Sequence, residues 1–298
     1  MKIFLIISII IISIVVLLFL TLIIGDIIAF KPPKPKKKFN WDFHENYSSI
    51  NKEVFFKSGG TKLRGFLYDC DNPKGLVIFC HGIGTSSDYY THEIRYLQSQ
   101  KYRVFTFDYK GYWKNKGVFA GIYQVVKDLN SAINFIDDGS LPLTLIGHSL
   151  GGHAVSCVSK INTHKIDNVI AISGFSNSVE ILDELLNKLH ITKCHKLIGF
   201  FVKIAQSIFF GGNWKTTAHE EINKNKSETK YLIVHSKDDE EVNVNHAAIY
   251  AHKKDITNPN VKYKLFEEKP FNTHMGIIRG NKSINPELME TIIKRIEE

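Results

Sequence analysis

The sequence predicts an α/β architecture, a mainly parallel sheet covered by helices on both faces. Three observations point to it. Short runs rich in Val, Ile, Phe and Tyr, bounded by Gly, Asp or Asn, recur along the chain. Longer stretches with helical patterning alternate with them. The short runs are apolar throughout rather than on alternate residues, as strands buried on both faces are. With 298 residues, 44% hydrophobic and 23% charged, the chain can bury a large core.

The first segment stands apart. Ile3 to Gly25 carries no charge and no proline, and a helix over it rises far enough to cross about 30 Å of hydrocarbon. A cleaved signal peptide would have a shorter apolar region and a more basic start than Lys2 alone. The sequence therefore predicts a single-pass N-terminal membrane anchor over residues 1–30. A lysine- and proline-rich linker follows over 31–52, beginning Lys31-Pro32-Pro33-Lys34-Pro35-Lys36-Lys37-Lys38. Five lysines on this side against Lys2 on the other predict that the rest of the chain faces the cytoplasm. The linker lysines also suit anionic headgroups, with a solvated spacer as the alternative.

Residues 53–298 form the expected globular domain. Strands are predicted at Glu53–Lys57, Leu63–Tyr68, Gly75–Cys80, Arg103–Asp108, Leu143–Gly147, Val169–Ile172, Tyr231–His235 and Val261–Phe266. Helices are predicted at His92–Gln100, Gly121–Ile136, Leu150–Ile161, Asn243–Lys253 and Pro286–Ile296. Residues 174–228 break the rhythm with two helical patterns, Val179–Leu189 and Leu197–Phe210, followed by a polar tail and no good strand, which reads as a cap inserted at one strand's C-terminal edge.

Charge excludes one class of partner. The net charge is +8, but residues 1–38 contribute +5 of it and the rest is scattered, so nucleic acid is not an expected partner. Cys70, Cys80, Cys157 and Cys194 include no C-x-x-C pair and no zinc-ligand spacing. They read as buried free thiols, and neither a metal nor an organic cofactor is implied.

The chemistry gathers at strand ends. Leu143-Thr144-Leu145-Ile146 runs into Gly147-His148-Ser149-Leu150-Gly151-Gly152 and then into a helical pattern. This is G-x-S-x-G in a strand–turn–helix setting, where a sharp turn lifts the serine hydroxyl and leaves no room for side chains two residues either side. The helix N-terminus behind it favours negative charge. An earlier strand ends in His81-Gly82-Ile83-Gly84, and a later one in Ser236-Lys237-Asp238-Asp239-Glu240-Glu241-Val242. Phe271-Asn272-Thr273-His274-Met275-Gly276 follows the last strand, and His274 is the only histidine after His252.

On these motifs residues 53–297 resemble the α/β-hydrolase superfamily, and the GHSLGG turn is similar to that of monoacylglycerol-lipase-like and serine-aminopeptidase-like branches. The resemblance implies Ser149 as nucleophile, His274 as base, and the amides of Ile83 and Leu150 as the oxyanion hole. It matches the family's G-x-x-D-x-x-V segment to Asp239 and Val242. Ser236 replaces the usual Gly, so Asp238 stays open as the acid. His81 reads as a structural residue of its loop. Departures occur in Asp108-Tyr109-Lys110-Gly111-Tyr112-Trp113-Lys114-Asn115-Lys116-Gly117, which resembles the family's D-x-R-G-x-G-x-S loop. Lys110, Trp113 and Asn115 stand there for Arg, Gly and Ser, which implies altered packing near the pocket.

The expected reaction is two-step acyl transfer on an ester, a lipid ester given the anchor and the apolar second cap helix, which would line an acyl tunnel, touch the bilayer or pack on the body. A protein-acyl thioesterase and a short-peptide peptidase are alternatives within the fold. A tethered binding protein with an inactive hydrolase fold is the alternative outside enzymes, and the presence of candidate Ser, acid and His speaks against it.

Overall fold

A computed structural model describes residues 2–29, 51–188, 195–225, 227–280 and 283–298. Its core is an eight-stranded sheet. The strands are β1 (Asn51–Ser58), β2 (Thr61–Tyr68), β3 (Gly75–Cys80), β4 (Tyr102–Phe107), β5 (Leu143–His148), β6 (Asn168–Ile172), β7 (Lys230–Ser236) and β8 (Val261–Phe266), in the spatial order β1-β2-β4-β3-β5-β6-β7-β8. Only β2 runs against its neighbours. It follows β1 through Gly59-Gly60, both with positive φ (52° and 81°), the backbone a two-residue hairpin needs. Every later pairing is parallel. A minor ribbon pairs β9 (Arg279–Gly280) with β10 (Ser283–Ile284).

Helices cover both faces, as predicted. On one, α3 (Ile122–Ile136) and α4 (Leu150–Cys157) bring Val126, Leu129, Ala154 and Val155 into a core with Ile78 and Leu145. On the other, α2 (Thr91–Ser99) and α8 (Pro286–Glu297) pack Ile94, Leu97, Leu288 and Ile292 with Val77 and Ile146. Successive strand residues point to opposite faces, so Val77 and Ile78 serve different cores. Each such buried aliphatic side chain contributes about 1.5–3 kcal/mol of transfer free energy.

Strand order positions the site. β3 lies between β4 and β5, with Ile78 beside Phe105 on one side and Leu145 on the other. The chain winds outward in both directions from here, so the loops leaving the carboxyl ends of β3 and β5 lie side by side at the point where open α/β sheets bind ligands.

Between β6 and β7 the chain builds α5 (Ser178–Lys188), α6 (His195–Phe210) and α7 (Ala218–Lys224). The third helix was not expected from its polar sequence. In α6, Val202 and Ala205 are buried while Leu197, Phe200 and Ile208 are exposed. The side-chain amide of Gln206 donates to the carbonyl of Ala120 at 2.7 Å and ties α6 to the body.

Several expectations are corrected. Asn243–Lys253 is turns with a short 3₁₀ segment at Ile249–His252, not a helix. Three of its amides are taken by side chains: Asn243 and Ala247 donate to Glu184 of α5, each at 3.1 Å, and Asn245 donates to the Asn243 side chain. β1 begins at Asn51, inside the expected linker, most of which lies outside the described residues. Cys80 and Cys157 are buried free thiols, but Cys70 is partly exposed; Cys194 lies outside the described residues.

The membrane anchor is also corrected. Residues Lys2–Ala29 form helix α1, which packs against α6. Among the described residues no helix is long and apolar enough to cross a membrane. The single-pass anchor over 1–30, and the cytoplasmic facing derived from it, are therefore not supported.

Candidate active site

The turn at Ser149 is where backbone strain concentrates. Ser149 has φ 55° and ψ −114°, a region that costs a non-glycine residue free energy and persists only when its surroundings hold it. Here the Ser149 amide donates to the carbonyl of Ile172 at 2.8 Å, and the Ser149 carbonyl accepts from the His153 amide at 3.1 Å. The flanking glycines are required by close approach. A Cβ on Gly147 would sit 2.2 Å from the Gly151 carbonyl oxygen, and one on Gly151 would sit 2.3 Å from that of Cys80. The turn is thus pressed onto the end of β3, which also carries the loop His81–Gly84.

In that loop Ile83 is exposed, and a Cβ on Gly82 would lie 3.3 Å from the Ser149 Cβ. Leu150 opens α4, so its amide is one of the helix's first donors, without an acceptor in the preceding turn. His81 is wholly buried, stacks on Tyr109 with ring centroids 3.9 Å apart and contacts its neighbour's carbonyl through Nδ1. Burial lowers its proton affinity, against the pull of Asp108. It is a packing residue, as its sequence position suggested.

The structure brings Asp239 rather than Asp238 onto His274. Nδ1–H of His274 donates to Oδ2 of Asp239 at 2.8 Å. Asp238 instead accepts the side-chain amide of Asn272 at 2.6 Å. Asp239 Oδ1 takes the amides of Glu241 (3.0 Å) and Val242 (2.8 Å). A second histidine, His235, stands on the same Oδ2, with Nε2 at 3.3 Å and also 3.0 Å from the Val242 carbonyl. Burial works to raise the Asp239 pKa; the bonds from His235 and His274 outweigh it and hold the carboxyl well below the usual carboxylate range.

A buried polar chain links the loops. The Gly82 amide donates to Tyr90 Oη (3.1 Å), Tyr90 Oη donates to His148 Nδ1 (2.8 Å), and His148 Nε2–H donates to the His274 carbonyl (3.1 Å). Burial first, then the nearby His274, lowers the His148 pKa to about 3, so His148 is a neutral imidazole able to donate and accept at once. The rings of His148 and His274 stand 4.8 Å apart. The candidate oxyanion loop, the serine turn and the candidate base are tied through one side chain.

Sequence reasoning missed His235, Tyr90, His148 and the carboxylate of Glu241, 3.5 Å from His274 Nε2. His235 lies four residues before Asp239 at the end of β7, the one local signal available. The divergent 108–117 loop is buttressed in its own way. Asn115 accepts the Arg64 amide at 2.8 Å and donates to the Asp108 carbonyl. Trp113, where the family pattern has Gly, keeps a positive φ of 49°. Among the described residues no cluster of His, Cys, Asp and Glu suits a metal ion.

The chain is similar to several known proteins. Residues 71–197 match the family described as serine aminopeptidase, S33. Over 110 residues the chain is 34% identical to a protein of Schizosaccharomyces pombe described as "Putative monoglyceride lipase", covering 34% of this chain and 29% of that one. It is 28% identical over 150 residues to the uncharacterized protein YfhR of Escherichia coli, covering 46% and 52%. The chain thus aligns with from under a third to about half the length of these relatives. Among solved structures, the esterase Pf2001 of Pyrococcus furiosus superposes with a TM-score of 0.65 over 90% of this chain and 98% of that one, at 18% identity, a likeness of fold.

Proposed function

We propose that this member of the α/β-hydrolase superfamily is a serine hydrolase that cleaves carboxylic esters through Ser149, His274 and Asp239. The observation that carries the reading is the 2.8 Å bond between His274 and Asp239, with the His274 carbonyl held by His148, the residue before Ser149 on its strained turn. With Nδ1–H committed to Asp239, Nε2 is left to take a proton. Ser149 Oγ attacks the ester carbonyl as its proton passes to Nε2 of His274. The amides of Ile83 and Leu150 stabilise the resulting oxyanion. Collapse expels the alcohol, which leaves with the proton from His274. Water then attacks the acyl-enzyme, His274 again taking and returning a proton, and the carboxylic acid departs. Asp239 stabilises the transient imidazolium without becoming protonated.

A lipid-like ester is the substrate class we favour. The likeness to the S. pombe protein supports it, as do the exposed Leu197, Phe200 and Ile208 of α6. The match to the serine aminopeptidase family supports a second reading, cleavage of short peptides by the same residues. Labelling with a fluorophosphonate tests the nucleophile. Wild-type protein is expected to be labelled and Ser149→Ala not, with turnover falling on the order of 10⁵–10⁶-fold for loss of either Ser149 or His274. Labelling that survives Ser149→Ala would overturn the assignment. Turnover of medium-chain glycerol esters against aminoacyl anilides separates the two substrate readings.

A further inference from the structure

Glu241 lies two residues after Asp239, and its Oε2 is 3.5 Å from Nε2 of His274. On the mechanism proposed above, on which this inference rests, that nitrogen hands its proton to the departing alcohol. Substituents on the leaving side of the scissile bond must therefore pass beside Glu241.

The placement is built in. The Glu241 amide donates to Oδ1 of Asp239 at 3.0 Å, and the Glu241 carbonyl accepts from Nζ of Lys188 in α5 at 3.0 Å. The backbone is thus clamped between the candidate acid and the helices inserted after β6. The side chain itself is 54% exposed, so its charge is not consumed in a buried pair and faces an arriving molecule. The ammonium of Lys188 sits on the main-chain carbonyls of Glu240 and Glu241.

We propose that Glu241 is a specificity-determining residue of this site, a negative edge that favours esters whose leaving alcohol carries a cation and disfavours those whose leaving alcohol carries an anion. Amino alcohols and quaternary ammonium alcohols belong to the favoured class, and phosphate-bearing alcohols to the disfavoured one. The selection acts on the leaving side of the bond, because in the proposed mechanism His274 Nε2 protonates the departing oxygen. A single charge a few ångströms away through a largely aqueous medium changes relative rates by about three- to tenfold, and discrimination of this kind is a difference between two substrates rather than a gain for one.

Two methylphosphonate probes of equal shape test it, one with a thiocholine leaving group and one with its uncharged neohexyl thiol isostere. Both leave the same adduct on an activated serine, read by mass spectrometry at Ser149. In wild-type protein the cationic probe is expected to react about three- to tenfold faster. Glu241→Gln is expected to bring the ratio close to unity, and Glu241→Lys to invert it. If both probes react and the ratio is the same in all three proteins, the charge selection is overturned while the nucleophile assignment stands. If neither probe modifies Ser149, the reading of the site falls, and the selection with it.

Discussion

His274 Nδ1 and Asp239 Oδ2 stand 2.8 Å apart across a separation of 35 residues. Nothing local brings them together; parallel pairing of β7 with β8 does, by setting the loops at their carboxyl ends side by side. Asp238, one residue earlier, ends on Asn272 instead. The pair of aspartates therefore offers an internal control. On the proposed mechanism Asp239→Asn is expected to lower kcat about 10⁴-fold, the loss known for the serine-protease triad, by presenting His274 with the wrong hydrogen-bonding partner. Asp238→Asn keeps an acceptor for Asn272 and should change kcat less than about tenfold. Steady-state kinetics on one ester substrate decides between them.

Asp239 also links stability to pH. Its folded pKa lies below the ordinary value of 3.8, so the unfolded chain binds the proton first as pH falls. The stability it contributes is fully present above about pH 4 and is lost progressively as pH falls from there through the folded value. The difference in melting temperature between wild type and Asp239→Asn is expected to be largest near pH 6 and to shrink toward pH 3. A difference that stays constant over that range would contradict the assignment.

Two buried histidines act over a window that reaches higher. Burial lowers His148 to about 3 and His153 to about 4, whereas in the unfolded chain both titrate near 6.5. Between 6.5 and those values the unfolded state binds more protons, so stability falls with falling pH, by at most about 1.4 kcal/mol per pH unit for each histidine. His153→Gln should flatten the fall between pH 6 and pH 4. Chemical denaturation at stepped pH measures the slope directly.

Gly151 tests the serine turn. A methyl group there would meet the Cys80 backbone at 2.3 Å, and neither side of that contact can yield cheaply. Gly151→Ala is expected to destabilise by about 3 kcal/mol or more and to displace Ser149. Gly212→Ala, where nothing lies within 4 Å of the added Cβ, should stay within about 0.5 kcal/mol of wild type. Thermal melts and fluorophosphonate labelling of both variants separate a folding defect from a misplaced Ser149.

Much of the fold was legible because strands buried on both faces need continuous apolar runs, and the central strands β3, β5 and β6 left them. The Ser149 turn was legible because its glycines answer local backbone constraints that leave a fixed spacing. Where sequence and structure part, a tertiary contact decided. Asn243–Lys253 has helical patterning, yet Glu184 captures its amides from another helix. The apolar run Ile3–Gly25 predicted a membrane span that the described residues of α1 do not support.

The sequence alone determined the order of the motifs, the serine turn and the histidine candidate, since each is written in consecutive residues or in the absence of competitors. It left Asp238 and Asp239 open, because a shift of one residue at a strand end costs the local pattern nothing. Only the tertiary structure directed Asp239 to His274, brought His235 onto the same oxygen, threaded His148 between two loops and set Glu241 beside Nε2. Those relationships join residues on different elements, and their geometry exists only once the sheet has fixed the spacing of its loops.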